Sequence, residues 1–273
     1  MSTSTNQAQT VAFLGATGGC TLPVLERTLK SGNHATALAR NPEKLRKLLV
    51  EIRSVPESLV ASNLRIIAGS ASDTSAVRNL LVASPQQKTL VDTLVSGIGS
   101  LPKVNWSNPL KPFTLEDPHV TETAMRSVEQ GLKSLIAEGY RSGREERPLV
   151  VAISTTGVSK QKRDVPVAFL PFYHWALAVP HKDKRIMEDM VVAAKKEGIV
   201  RDYVLIRPSL LVDGQVKGLD SVRAGWESDD GTSQGPGPAV GYVITKEDVG
   251  AWIWEEAVQK NNLWKGKAVS LTY

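Results

Sequence analysis

Two glycines at the end of an apolar run can hold a phosphate. In "VAFLGATGGC", residues 11–20, the run breaks at Gly15 and Gly18. Gly15 lets the chain turn sharply out of a strand, and Gly18 lets the backbone approach a pyrophosphate. The free N–H groups and dipole of a following helix favour an anion there. Thr21 stands near the place where a third glycine normally allows close helix–strand packing. A second test of the same chemistry comes at Arg40, twenty-two residues after Gly18. An acid at the end of the second strand would hold the ribose 2′-hydroxyl of NAD, but "LARNP" carries Arg40 instead. A guanidinium pairs bidentately with a 2′-phosphate, so the pattern points to NADP(H).

Other chemistries find no support. His119, His174 and His181 are not spaced with Cys or in a HExxH pattern, so no metal site is expected. No Gly-x-Ser-x-Gly elbow is present, which argues against serine hydrolysis. The single cysteine, Cys20, excludes an intrachain disulfide framework and reads as a small packed residue. The formal net charge is +5, yet the positive residues are scattered among acids with no basic stripe of interleaved aromatics. Nucleic acid is therefore not an expected partner. No apolar run is long enough to span a bilayer, and "MSTSTNQAQT" lacks the basic and apolar regions of a secretory signal. The expectation is a cytoplasmic protein without a membrane partner, monomeric or homodimeric.

The elements that must position the site alternate between strand and helix. "TVAFLG", "HATALAR", "LRIIAG", "TLVDTLVSGIG", "RPLVVAIS", "YVLIRP" and "KAVSLTY" read as strands. Helices are expected from Gly18 to Lys30, over "NPEKLRKLL" with Asn41 as cap, over "TSAVRNLLVA" behind Asp73, from Val120 to Glu138, from His181 to Lys196, and over "TKEDVGAWIWEEAV". Thr245 and Asp248 form a capping-box pattern at the start of the last. This alternation predicts one α/β domain over 1–273, a doubly wound parallel sheet of Rossmann type. Three irregular inserts, 101–118, 157–180 and 208–241, follow strands and are expected to form a small substrate lobe at the ligand edge. They carry seven of the fifteen aromatics: Trp106 and Phe113; Phe169, Phe172, Tyr173 and Trp175; and Trp226. Such a lining suits a hydrophobic small-molecule substrate. Trp252 and Trp254 are helix packing residues by their spacing.

"FLGATGG", "LARNPEKL", "STTGV", "KRIMEDMV", "IRPSLLVDG" and "ITKEDVGAW" follow one another in that order. Together they resemble the atypical short-chain dehydrogenase/reductases, the NmrA-like, NAD(P)-binding branch, from Val11 to about Ala257. The resemblance implies that Gly15, Thr17, Gly18 and Gly19 line the pyrophosphate turn and that Arg40 holds the 2′-phosphate. Ser70 falls where the family often has an acid near the adenine. Ser96 and Gly97 would lie beside the ribose, Ser154, Thr155 and Thr156 where the family places its catalytic hydroxyl, and Pro208 and Ser209 behind the nicotinamide. Active members carry a tyrosine four residues before a helix lysine. Lys184 aligns with the lysine, and the tyrosine position is Pro180. Tyr173, His174 and His181 are the nearby substitute acids, and Thr155 could orient a carbonyl oxygen. The leading expectation is an NADPH-dependent reductase of C=O, C=N or conjugated C=C bonds, a biosynthetic tailoring enzyme. A non-redox cyclase or isomerase with NADP(H) as scaffold, and an NmrA-like NADP(H)-sensing regulator, are the competing readings.

Overall fold

The computed structural model describes residues 8–99, 102–104, 113–143, 145–169, 177–228, 235–260 and 263–273. Strand β1 (Thr10–Leu14) runs into helix α1 (Thr21–Lys30), followed by β2 (His34–Ala39) and α2 (Pro42–Lys47). Then come α3 (Glu57–Asn63), β3 (Leu64–Ala68), α4 (Thr74–Leu80) and β4 (Thr93–Ser96). The second half contains α5 (Val120–Ala137), β5 (Leu149–Ile153), α6 (Ala178–Lys196), β6 (Asp202–Pro208), β7 (Arg223–Ser228), α7 (Lys246–Trp252) and β8 (Lys267–Thr272).

The eight strands form one sheet in the order β7-β8-β6-β5-β4-β1-β2-β3. Every neighbouring pair is parallel except β7 with β8. The chain winds outward from β1 through β2 to β3, then returns to β4 and winds the other way. The reversal leaves a crevice between β1 and β4 at the carboxyl ends of the strands, where ligands of such sheets bind. Side chains alternate across the sheet. Val11, Phe13, Val151 and Ile153 enter a core with α1, α2 and α7, while Ala12, Leu14, Val150 and Ala152 enter a second core with α4, α5 and α6.

Local chemistry explains most boundaries. Asn41 caps α2 through Lys44 N–H at 3.0 Å, with Pro42 in the first turn. Asp73 caps α4 through Ser75 and Ala76. Thr245 caps α7 by accepting from Asp248 N–H at 3.1 Å. The reciprocal half of the capping box is relayed: Thr245 N–H donates to the Tyr273 hydroxyl at 3.1 Å, which donates to the Asp248 carboxylate. Trp252 and Trp254 are buried as packing residues.

Several boundaries differ from the sequence expectations. Helix α1 starts at Thr21 rather than Gly18, because residues 15–20 are taken up by the glycine turn. Helix α6 begins at Ala178, so Pro180 lies in its first turn, where proline is tolerated because an N–H there has no intrahelical acceptor, and His181 follows with its N–H donating to Leu177 O at 3.0 Å. Segment 208–241 is not wholly irregular. It contains Leu210–Val212, which pairs with Val243–Thr245, and the antiparallel edge strand β7. Trp226 sits on β7 with Lys267 Nζ 4.0 Å over its ring, at the amino end of β8. Opposite Val269, and so level with Ile153 at the end of β5, it packs partly buried against the core. Within 101–118, Pro102–Val104 and Phe113–Leu115 form an antiparallel pair. Trp106, Phe172, Tyr173, His174 and Trp175, and the side chain of Phe113, lie outside the described residues.

Candidate functional site: a dinucleotide crevice with an inward-turned lysine

The glycine turn closes on itself and on β4. Gly15 has φ +73°, and a Cβ there would lie 2.8 Å from the Gly97 carbonyl oxygen. Gly18 N–H donates to Gly15 O at 2.8 Å. The Thr21 hydroxyl donates to Gly15 O and lies 3.2 Å from Gly18 O. Thr21 is fully buried, and a Cβ on Gly97 would collide with its Cγ2. The third small residue that lets helix meet strand is thus displaced from α1 to Gly97 on the neighbouring strand. Among the described residues no protein group accepts the backbone N–H of Thr17, Gly19 or Cys20. These donors at the start of α1 face the crevice end and fit a pyrophosphate. Cys20 is buried, and that burial pushes its thiol up to about 12, so it is an inert packing group.

Arg40 follows the last residue of β2 and is exposed, with no ion-pair partner among the described residues. Ser70 follows β3 by two residues and is exposed, its hydroxyl 2.9 Å from that of Ser72. Ser96 is buried at the end of β4, and Gly97 N–H is tied to Leu14 O at 2.9 Å. All four therefore stand along the carboxyl edge.

Lys184 turns inward from α6. Its Nζ donates to Ile98 O at 2.8 Å and Ile153 O at 2.7 Å, bridging the ends of β4 and β5. Burial of the ammonium pulls its pKa down to about 8, against the opposing pull of Asp183 and Glu188. Asp183, its neighbour in sequence, is committed elsewhere. Its carboxylate accepts from the N–H groups of Thr121 and Glu122, both at 3.0 Å, and caps α5 across the helix pair. Ser154 follows Ile153 directly. Its Oγ is buried and has no hydrogen-bond partner, while Thr155 is partly exposed beside it. An unpartnered buried hydroxyl is costly in a folded protein, and this one stands at the carboxyl end of β5, where a bound ligand would complete its bonding. Pro180 lies one turn before Lys184 in the tyrosine's position.

Three further residues have different surroundings. Pro208 accepts from Thr156 N–H at 3.1 Å. Ser209 turns its hydroxyl to Thr272 at 3.0 Å rather than into the crevice. His181 is partly buried in the first turns of α6, and Phe169 meets Tyr242 edge-on at 5.2 Å.

Sequence reasoning passed over a buried ionic cluster next to this site. Arg207, on β6, is fully buried and makes a bidentate pair with Glu188 of α6 at 2.9 and 2.6 Å. Its third nitrogen pairs with Glu227 of β7. Glu227 accepts from Ser159, and buried Asp164 accepts from the N–H groups of Gly157 and Ser159. Burial raises the Asp164 carboxyl pKa. The signal was available: an arginine inside "YVLIRP", in a run otherwise apolar, requires a buried countercharge.

No family model matches the sequence. The chain is 42% identical over 273 residues to Reductase PytE of Aspergillus terreus, covering 97% of this chain and 98% of that one. It is 34% identical to Oxidase PynE of Aspergillus niger, covering 96% and 98%. One relative is named for reduction and the other for oxidation, so the names agree on electron transfer rather than its direction. Among solved structures, the anaerobilin reductase ChuY of Escherichia coli O157:H7 matches with TM-score 0.60 at 17% identity, covering 96% of each chain. The oxidoreductase YlbE of Lactococcus lactis matches with TM-score 0.56 at 16% identity, covering 96% of this chain and 90% of that one. Those two likenesses concern the fold. The full-length likeness to the fungal enzymes goes further: the chain is an oxidoreductase and belongs to the atypical short-chain dehydrogenase/reductases, in the NmrA-like, NAD(P)-binding Rossmann branch.

Proposed function

We propose that the protein is an NADPH-dependent reductase acting on a C=O, C=N or conjugated C=C bond of a hydrophobic small molecule, as a tailoring step in biosynthesis. The observation that carries this reading is Lys184 clamped between the ends of β4 and β5, with the bondless Ser154 hydroxyl beside it. The free N–H groups of Thr17, Gly19 and Cys20 would hold the pyrophosphate, and Arg40 the 2′-phosphate. The bound nicotinamide supplies the hydride. Lys184 would fix the nicotinamide ribose through its ammonium, and Ser154 and Thr155 would orient the acceptor atom of the substrate. With Pro180 in the tyrosine's place, no phenol stands one turn before Lys184. A conjugated acceptor, whose negative charge is delocalised, places the smallest demand on a proton donor. His181, or water, would then complete the protonation.

Pro180 also favours a second reading, in which the dinucleotide serves as a scaffold for a non-redox cyclisation or isomerisation. NADPH deuterated at the transferable position of C4 separates the two. Incubated with a panel of hydrophobic enones, iminium ions and ketones, the reductase delivers deuterium to product at one equivalent per turnover. Product formed without deuterium, with the NADPH unconsumed, supports the scaffold instead.

A further inference from the structure

A cavity of about 260 Å³ opens between loop 157–165 and the first turns of α6. Its wall begins at Gly157, two residues beyond Thr155, so it adjoins the crevice on the nicotinamide side. The charge lining it is lopsided. Lys162 and Arg163 line it from the loop and Arg185 from the helix, one turn after His181, all three at its solvent-exposed rim. None of these three cations has an anionic partner among the described residues. Lys160 lines the same wall but is paired with Asp189.

The acids nearby are all committed. Asp164 is buried in the floor and turned onto the N–H groups of Gly157 and Ser159. Glu188 and Glu227 face the Arg207 guanidinium. Three like charges around one small cavity repel each other, and a bound anion removes that cost.

The cofactor's phosphates are not that anion. They belong to the glycine turn after β1 and to Arg40 after β2. From β2 to β5 is three strand spacings, about 14 Å, with the cavity beyond β5. The cavity is also too small for a whole drug-sized ligand, which occupies roughly 300–1,000 Å³.

We propose that this cavity is a substrate subsite for an oxyanion, so that the substrate is a hydrophobic molecule carrying a carboxylate or an equally acidic enol. The inference rests on the reductase reading of the neighbouring crevice and names its substrate class. Arg163 and Arg185 supply planar donor forks to the two oxygens, and Lys162 supplies a point charge. Held there, the acid end directs the rest of the substrate toward Ser154 and Lys184.

The test uses the intact protein loaded with NADPH and two probes, 2-naphthylacetate and its neutral methyl ester. Binding is followed by ligand-observed NMR titration, and NADPH affinity is measured on the same samples. The acid is expected to bind at least tenfold tighter than the ester, and to weaken as salt is raised. Arg163→Gln combined with Arg185→Gln should abolish the preference and leave NADPH affinity unchanged. Lys182→Gln, an exposed change on the same helix, should alter neither. Equal binding of acid and ester overturns the proposal, as does failure of the acid to bind, or an unchanged preference in the double variant. Inorganic phosphate displacing the acid at equal concentration also overturns it, because the cavity would then hold a simple ion. Loss of NADPH binding by the unaltered protein is a different result, and it removes the reductase reading itself.

Discussion

At the scale of single residues, the site rests on two side chains whose present bonding is incomplete or costly. Burial of the Lys184 ammonium lowers its pKa to about 8 from 10.5. Between those values the unfolded chain binds the extra proton and the folded chain does not. Stability of the cofactor-free protein is therefore expected to rise with pH across that window, as urea midpoints at pH 7.5 and 10 would show. Activity should do the opposite and fall as the pH passes about 8, since the ammonium proposed to hold the ribose would be lost. Lys184→Arg keeps the charge and should move that limb upward, and Lys184→Met should lower kcat on the order of 10²-fold. A wild-type profile flat to pH 10 would contradict the assignment. Ser154 gives the complementary case. Its hydroxyl makes no bond in the protein, so Ser154→Ala should stabilise the cofactor-free protein by about 1 kcal/mol while reducing kcat at least tenfold. Thermal melts and steady-state rates on the same preparation separate the two effects.

At the scale of elements, the crevice depends on a contact that the sequence shows only in part. The motif reads as deficient because Thr21 stands where a third glycine is usual. In the fold, Thr21 locks the turn with its hydroxyl and presses its methyl onto Gly97. Gly97→Ala should destabilise by about 1–3 kcal/mol through overpacking. Thr21→Ser removes the methyl and keeps the hydroxyl, so the double variant should recover most of that loss. Additive losses in the double-mutant cycle would show that the two do not meet. The Arg207 cluster joins β6, α6, β7 and the loop after β5. Arg207→Met leaves Glu188 and Glu227 buried without their shared countercharge and should cost about 3–5 kcal/mol, read as a shift in the denaturation midpoint. Neither contact is visible from local pattern, because each links residues far apart in the chain whose meeting is a result of the fold.

At the scale of the whole molecule, the βαβ alternation was legible because strands buried on both faces are apolar throughout and their helices carry caps such as Asn41, Asp73 and Thr245. Strand β7 was not legible: as an edge strand containing Gly225 and charged Arg223 and Glu227, it has neither a continuous apolar run nor a clean alternation. The register of this strand with β8 sets Trp226 opposite Val269, level with Ile153 at the end of β5, where its ring packs on the core. The crevice residues Gly15, Gly18, Arg40 and Lys184 were legible through motif and family resemblance. The orphaned hydroxyl of Ser154 needed the packing around it to be known, and so did the helix cap provided by Asp183 and the gathering of cations at the cavity beyond β5.

The central claim is that the crevice between β1 and β4 is built for a dinucleotide bearing a 2′-phosphate. Titration of the purified protein with NADPH and with NADH, followed by nicotinamide fluorescence, tests it without any substrate. The account predicts that NADPH binds at least tenfold tighter than NADH, and that Arg40→Ala removes the difference by weakening NADPH alone. Equal affinities in the unaltered protein, or a preference that survives Arg40→Ala, would contradict it.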